Sequence, residues 1–418
     1  MSAKSSLLVV STSFCFQGGL ERFVQKMALQ LKNGGHTLHG LFLKKSDEKN
    51  SLNDHLPFTT FFDDALKKEN DYQLDIFLKN LRKSGVQIAL VNALEQERIV
   101  KKLGRFFKLL FFVHDHNYYC PRRHRGFSFL NYNCTLAYRP FICYPCASLS
   151  RNLPSPAAKL LPYLKKSDGV FVFSNYIKDQ LLLNGIPKNL IKVISPIISP
   201  AFFEKGLSEK GLVEKDSSKK EKDPINIVFV GQLIKGKGVD VLLNSIAELK
   251  KRSQRVWKKN YEFSFEIVGD SCRISNFENL AKKLNISEKV FFRGQTEHPE
   301  IFMKRADFIV MPSRWQEPFG LVGVEAMALG KPVVAFDKGG ISQWLQDGKT
   351  GILVKRISAK DFCDAMERLI FDKKLRLKMG KAAYKYAHKH YLPSVVMGKL
   401  EKLLGNINEK NTSCLNAI

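Results

Sequence analysis

Acidic residues are scarce in this chain. Asp and Glu number 40 against 67 Lys and Arg, a formal net charge of +27 over 418 residues. That balance disfavours cationic partners and favours anionic ones: phosphorylated ligands, an anionic membrane surface or nucleic acid. Long apolar runs are missing as well. No stretch approaches the ~18 residues of a membrane span, and the richest, Leu103 to Val113, is broken by Arg105 and Lys108. The apolar group Leu7–Val10 is short and is followed by Ser11-Thr12-Ser13, with no small-residue cleavage site. A secretory leader is therefore not expected, and the group reads as a buried first strand. Eight cysteines are too few for a disulfide framework. Together these absences lead us to expect a cytoplasmic chain. What is abundant is core material, 44% hydrophobic and 11% aromatic residues, enough for two or three domains at roughly 150 residues each.

Short β-rich runs alternate with segments of helical period. The strands expected are Leu7–Val10, Ile88–Asn92, Lys108–Val113, Gly169–Phe173 and Lys192–Ile194, then Ile225–Val230, Phe263–Val268, Val290–Phe292, Phe308–Met311, Val333–Phe336 and Ile352–Val354. Most are almost wholly apolar, as parallel strands covered on both faces must be. Leu20, Phe23, Val24, Met27, Ala28 and Leu31 share one helix face that Gly34-Gly35 should end, and Val239, Leu242, Leu243 and Ile246 repeat the pattern. Residues 205–223 are rich in Lys, Glu, Ser and Gly and nearly free of apolar side chains, a linker composition. The expected architecture is α/β, two doubly wound Rossmann-like domains facing across a cleft. The boundaries are 1–204 with an insert near 115–150, the linker, 224–390, and a C-terminal segment 391–418 whose helix packs back on the first domain.

The most informative stretch runs from Phe308 to Val354. A strand ends at Pro312, the following loop carries Glu317, Gly320 allows a tight turn, and a helix begins near Leu321 with Glu325 about one turn inside it. A glycine-headed helix offers free backbone N–H groups to a phosphate, here those of Gly320, Leu321 and Val322. Two carboxylates beside a diphosphate are repulsive unless they accept hydrogen bonds from hydroxyls on either side of it. A sugar diphospho-nucleoside has such hydroxyls, on the sugar ring and on the ribose. The balancing positive charge is available from Lys237, in the glycine-framed loop Gly231–Gly238.

This block resembles the C-terminal half of a GT-B fold retaining glycosyltransferase of the group 1 or family 4 type. The paired glutamates of that family, with seven residues between them, fall on Glu317 and Glu325. Gly18-Gly19-Leu20-Glu21-Arg22-Phe23, His114-Asp115, Phe229–Leu243 and Gly339-Gly340-Ile341 extend the resemblance over most of the chain. It implies that Glu317 contacts the donor sugar near the reaction centre, Glu325 binds the ribose, Lys237 holds the diphosphate and His114 hydrogen-bonds the donor sugar. Gly18 and Gly19 would bring backbone amides to the diphosphate and the acceptor. Gln232 stands where many relatives carry arginine, which removes one positive contact or moves it elsewhere. Ser195-Pro196 replaces the usual Asn-Gly at the end of the first domain. The implied reaction is transfer with retention from a UDP-, GDP- or ADP-sugar, with no cofactor or metal required for catalysis. The acceptor implied is a glycan or lipid-linked intermediate of cell-surface polysaccharide or lipopolysaccharide.

Two features fall outside that block. Cys120, Cys134, Cys143 and Cys146 lie in the insert after His114-Asp115, and Cys143-x-x-Cys146 has the spacing of half a zinc knuckle. A structural zinc and a set of unpaired thiols in a packed excursion are both open from sequence. Lys101, Lys102, Arg105, Lys108, Arg122, Arg123 and Arg125 form a basic stretch interleaved with Phe106, Phe107, Phe127 and Phe129. It reads either as a solvated face or as a rim against the inner face of an anionic membrane; nucleic acid is not the expected partner. A protein that keeps the fold but not the chemistry, and binds an anionic membrane or nucleic acid through its basic surface, is the competing function.

Overall fold

A computed structural model describes residues 4–12, 19–43, 57–65, 67–123, 126–127, 132–149, 155–203, 224–255, 262–270 and 274–409. They form two compact units. One is drawn from Met1–Arg125, Thr135–Ile197 and Pro393–Ile418, the other from Gly126–Cys134 and Ile198–Leu392. The linker expected at 205–223 lies outside the described residues.

The chain opens with β1 (Ser6–Ser11), α1 (Gly19–Asn33), β2 (Thr37–Phe42), β3 (Thr60–Phe62), α2 (Asp71–Lys83), β4 (Ile88–Asn92), α3 (Glu97–Gly104) and β5 (Lys108–Val113). A short antiparallel pair, β6 (Gly126–Phe127) and β7 (Tyr132–Asn133), precedes α4 (Pro140–Ser148), α5 (Leu161–Lys165), β8 (Gly169–Val172), α6 (Asn175–Leu183) and β9 (Ile191–Val193). The seven main strands of the first unit are all parallel, in the order β3-β2-β1-β4-β5-β8-β9. Leu7 to Val10 and Leu110 to Phe112 are wholly buried because helices cover both faces. On α1 the stripe Phe23, Val24, Met27, Ala28 and Leu31 is buried, and Gly35 leaves the helix at φ +87° with the His36 N–H returning to the Leu31 carbonyl.

The second unit runs β10 (Ile225–Val230), α7 (Val239–Arg255), β11 (Phe263–Val268), α8 (Ile274–Lys283), β12 (Val290–Gly294), α9 (Pro299–Arg305), β13 (Phe308–Met311), α10 (Leu321–Ala328), β14 (Val333–Phe336), β15 (Gly351–Val354), α11 (Ala359–Phe371) and α12 (Lys373–Tyr391). Its six parallel strands take the order β12-β11-β10-β13-β14-β15. The last helix, α13 (Pro393–Glu409), is counted with the first unit, where Lys108 Nζ donates to the Ile407 carbonyl at 3.4 Å. Each sheet therefore has the doubly wound α/β topology, with its order reversing beside its first strand. In the second unit that switch point lies between β10 and β13.

Four strands, β2, β3, β6 and β7, have no counterpart among the expected ones. β2 reads Thr-Leu-His-Gly-Leu-Phe, and its polar centre masks it. His39 is nonetheless buried, between Ser6 Oγ at 3.2 Å and Thr60 Oγ1 at 2.7 Å, so neighbouring strands satisfy what the local pattern does not.

Candidate active site

Ligands of doubly wound sheets sit outside the carboxyl ends of the strands at the switch point. In the second unit β10 delivers the loop Gly231–Gly238 there and β13 delivers the loop from Pro312 to Gly320. The two loops interlock. The Gly236 carbonyl accepts from the Arg314 N–H at 2.9 Å, and Arg314 pairs with Asp240 at 3.1 Å. A Cβ on Gly236 would stand 2.5 Å from the Trp315 ring. Gly238 has φ +74°, and a Cβ there would fall 1.8 Å from the Pro312 carbonyl oxygen. The glycines around Lys237 are thus required by loop-on-loop packing, whereas the sequence suggested only room for a ligand.

The packing brings together two residues 80 positions apart. Lys237 Nζ lies 2.6 Å from Glu317 Oε1, and Ser313 Oγ donates to the same oxygen at 2.5 Å. Glu317 is 4% exposed. Burial pushes its carboxyl up, but the Lys237 charge, with hydrogen bonds from Lys237, Ser313 and Trp315, outweighs it and holds the carboxyl below its usual range. Lys237 also stands 5.5 Å from the centre of the Trp315 ring. The backbone of Glu317 is clamped from the other side: the Gly340 N–H donates to its carbonyl at 2.7 Å, and Gly339, at φ +61°, leaves no space for a Cβ against it. Ser313 and Trp315 carried no signal of their own in the sequence, and Gly339-Gly340 stood out there only as part of the resemblance.

Gly320 turns the chain into α10 with φ +89°. Trp344 is fully buried under that helix; its Nε1–H donates to the Phe319 carbonyl at 2.6 Å, and its ring occupies the place a Cβ on Gly323 would take. Leu321 and Val322 form the first turn, half-buried, and Glu325 lies one turn further, also half-buried. Gln232 is exposed. The first amides of any α-helix lack intrahelical partners, so an ammonium, a buried carboxylate and a helix N-terminus meet at one sheet edge. The arrangement suits an anion with hydroxyls beside it.

His114 belongs to the first unit, just past the carboxyl end of β5. Its Nε2 lies 3.1 Å from Asn92 Oδ1. Asn92 Nδ2 donates to the Val10 and Leu90 carbonyls, each at 3.3 Å, which fixes the amide with its oxygen toward the ring. Nε2 therefore carries the proton, and Nδ1 of the neutral imidazole is left as an acceptor. Phe23, Phe112 and Phe173 surround the ring, and burial pushes its pKa down to about 3. Asp115 lines a small cavity with His114, Glu95, Asn117, Tyr118 and Ala157. Burial raises Asp115 to about 6, against the Asn117 N–H that donates to it at 2.9 Å. Gly19 opens α1, whereas Gly18 lies outside the described residues.

The candidate zinc set that the sequence left open is not assembled among the described residues, where no three His, Cys, Asp or Glu side chains converge on a metal position. Cys120, Cys134, Cys143 and Cys146 are half-buried and form no disulfide among the described residues. The Arg139 N–H donates to Cys143 Sγ at 3.4 Å, and Arg122 Nη1 lies 4.0 Å from Cys146 Sγ. Part of the basic stretch is paired: Lys101 with Glu97, Lys102 with Asp75 and Arg123 with Glu95. Arg125 and Phe129 lie outside the described residues, as do the side chain of Phe127 and residues 124 and 128.

Residues 213–386 match the model of a family described as glycosyl transferases group 1. An uncharacterised glycosyltransferase of Methanocaldococcus jannaschii is 30% identical over 234 residues, 56% of this chain and 58% of its own length. The chain spans about half the length of the curated relatives it matches. A solved glycosyltransferase from Rickettsia africae superposes with a TM-score of 0.72 at 19% identity, covering 97% of this chain and 98% of its own. Anabaena Alr3699/HepE, solved with UDP and glucose, gives 0.67 at 16% identity over 99% of both chains. The fold is that of these proteins.

Proposed function

We propose that this chain, whose residues 213–386 belong to the glycosyl transferases group 1 family and whose fold is GT-B, moves a sugar from a nucleotide-diphosphate donor to a glycan acceptor with retention of configuration. The observation that carries the reading is the Lys237–Glu317 pair, 2.6 Å long, at the switch point that α10 also faces. A lysine ammonium has three donors. It can hold Glu317 through one and turn the others to a diphosphate on the amides of Leu321 and Val322, stabilising the charge that develops as the nucleoside diphosphate departs. Glu317, kept ionised by its partners, accepts from hydroxyls of the donor sugar and orients the ring. Glu325, one turn along α10, takes the ribose hydroxyls. The departing diphosphate takes the acceptor proton on the face it leaves, so no side chain need serve as base.

Uridine is the first base to try, because a protein of this fold was solved with UDP. A cell-surface or lipid-linked glycan is the acceptor class we propose, by analogy of fold. The competing reading, a non-catalytic binder of anionic surfaces, leaves the buried Glu317 and its loop clamp without a purpose. The test is a thermal-shift panel of UDP-, GDP- and ADP-sugars, followed by proton NMR of the product formed with the donor that binds. One donor should raise the melting temperature, and the new linkage should keep the donor's anomeric configuration. Inversion, or no shift with any donor, would remove the assignment.

A further inference from the structure

Helix α4 has its apolar side turned outward. Phe141, Ile142 and Leu149 are 94%, 47% and 83% exposed, and Pro145 is exposed with them. At 3.6 residues per turn, positions 141, 142, 145 and 149 share one face of about 100°. The opposite side carries Ala147, which is buried, and the half-buried Cys143 and Tyr144. Leu136, just before the helix, adds a further apolar side chain at 52% exposure. A surface helix ordinarily shows the reverse pattern, and contiguous exposed apolar side chains mark a contact surface.

The surrounding charge identifies the contact. From His116 to Ser167 the sequence holds eight Lys or Arg and no Asp or Glu. Arg139 is the exposed N-cap residue of α4, and Arg122 reaches toward Cys146 on its third turn. A protein partner for an apolar ridge would be met by charges of both signs around it. A nucleic acid would be met by arginines among several stacking aromatics, whereas Phe141 stands here among the aliphatic Ile142, Pro145 and Leu149. Apolar side chains projecting from a segment whose own charges are all positive fit an interface with anionic headgroups above and acyl chains below.

We infer that α4 is a membrane-docking ridge: Phe141, Ile142 and Leu149 enter the headgroup–acyl boundary of an anionic bilayer while Arg122 and Arg139 meet its lipid phosphates. This displaces the membrane contact from the segment 101–108, whose Lys101 and Lys102 are already ion-paired. It does not depend on glycosyl transfer, because none of these residues belongs to the proposed donor site.

The experiment is flotation of the full chain with vesicles of phosphatidylcholine and phosphatidylglycerol at about 3:1, and of phosphatidylcholine alone, without donor or acceptor. The chain should float with the anionic vesicles and not with the neutral ones, and salt should release it. Phe141→Ser with Leu149→Ser should lower the partition coefficient by about tenfold or more, at an unchanged melting temperature. Arg139→Glu, which leaves the apolar ridge intact, should lower it by a smaller factor. Failure to float at low salt, or equal flotation of wild type and all variants, overturns the inference. So does a self-associated wild type that Phe141→Ser turns into a monomer, or RNA that binds through the same substitutions.

Discussion

Replacing Lys237 by methionine should leave Glu317 as a buried charge without its cation. Removing one partner of a buried pair costs about 3–5 kcal/mol. Lys237 is 26% exposed on its side chain, and Ser313 still donates to the carboxylate, so we take about 2–3 kcal/mol. For a unit of this size that is about 4–12 °C in melting temperature. The pH dependence is the sharper part. In the wild type the folded pKa of Glu317 is lowered, so its contribution is present above the unfolded carboxyl pKa and is lost as pH falls through the folded value. In Lys237→Met burial, the largest influence, is opposed by the hydrogen bonds of Ser313 and Trp315 without the lysine charge, and the folded pKa rises. The variant is then penalised above that raised value and relieved as pH falls through it. The gap between the two proteins should be widest near pH 8, narrow as pH falls through the variant's raised pKa, and close only below the wild type's lowered one. Adding Glu317→Gln to Lys237→Met should recover most of the lost stability at pH 8. The assay is thermal unfolding by circular dichroism at steps across that range. A gap constant with pH, or a double variant as unstable as the single one, would refute the reasoning.

Three further outcomes follow from the same geometry. Glu325→Ala should weaken donor binding about tenfold, the loss of one charge-assisted hydrogen-bonding group; calorimetric titration reads the affinity. Gly323→Ala should destabilise by about 1–3 kcal/mol or more, because its Cβ would meet the buried Trp344 ring; urea unfolding measures it. His114, whose pKa burial lowers to about 3, should remain neutral at working pH. Its stabilising contribution is present above about pH 6.5 and declines as pH falls toward the folded value, so His114→Gln should flatten the acid limb of the stability curve.

The strands were legible because parallel sheets buried on both faces require unbroken apolar runs, as in Ile88–Asn92 and Phe308–Met311. β2 was not, because His39 is satisfied by Ser6 and Thr60 on neighbouring strands, a partnership no local pattern carries. The position of Glu317 could be read from its loop and the helix after it. Its ion pair with Lys237 could not, since it depends on Gly236 and Gly238 fitting against Trp315 and Pro312. The basic stretch read as one surface because charge was legible and partners were not: Asp75 and Glu95 lie far enough away in sequence that the ion pairs of Lys102 and Arg123 were hidden. The outward face of α4 was equally hidden, because Pro-Phe-Ile-Cys-Tyr-Pro-Cys-Ala-Ser has no amphipathic period from which to tell inside from outside.

The most direct measurement of the central claim is calorimetric titration of UDP, GDP and ADP into the wild type, Lys237→Ala and Glu317→Gln. One diphosphate should bind the wild type, Lys237→Ala should weaken it by about tenfold or more, and Glu317→Gln should keep the affinity within a few-fold, since the proposed role of that carboxylate is toward the sugar. A diphosphate held as tightly by Lys237→Ala as by the wild type, or no binding of any of the three, would contradict the account.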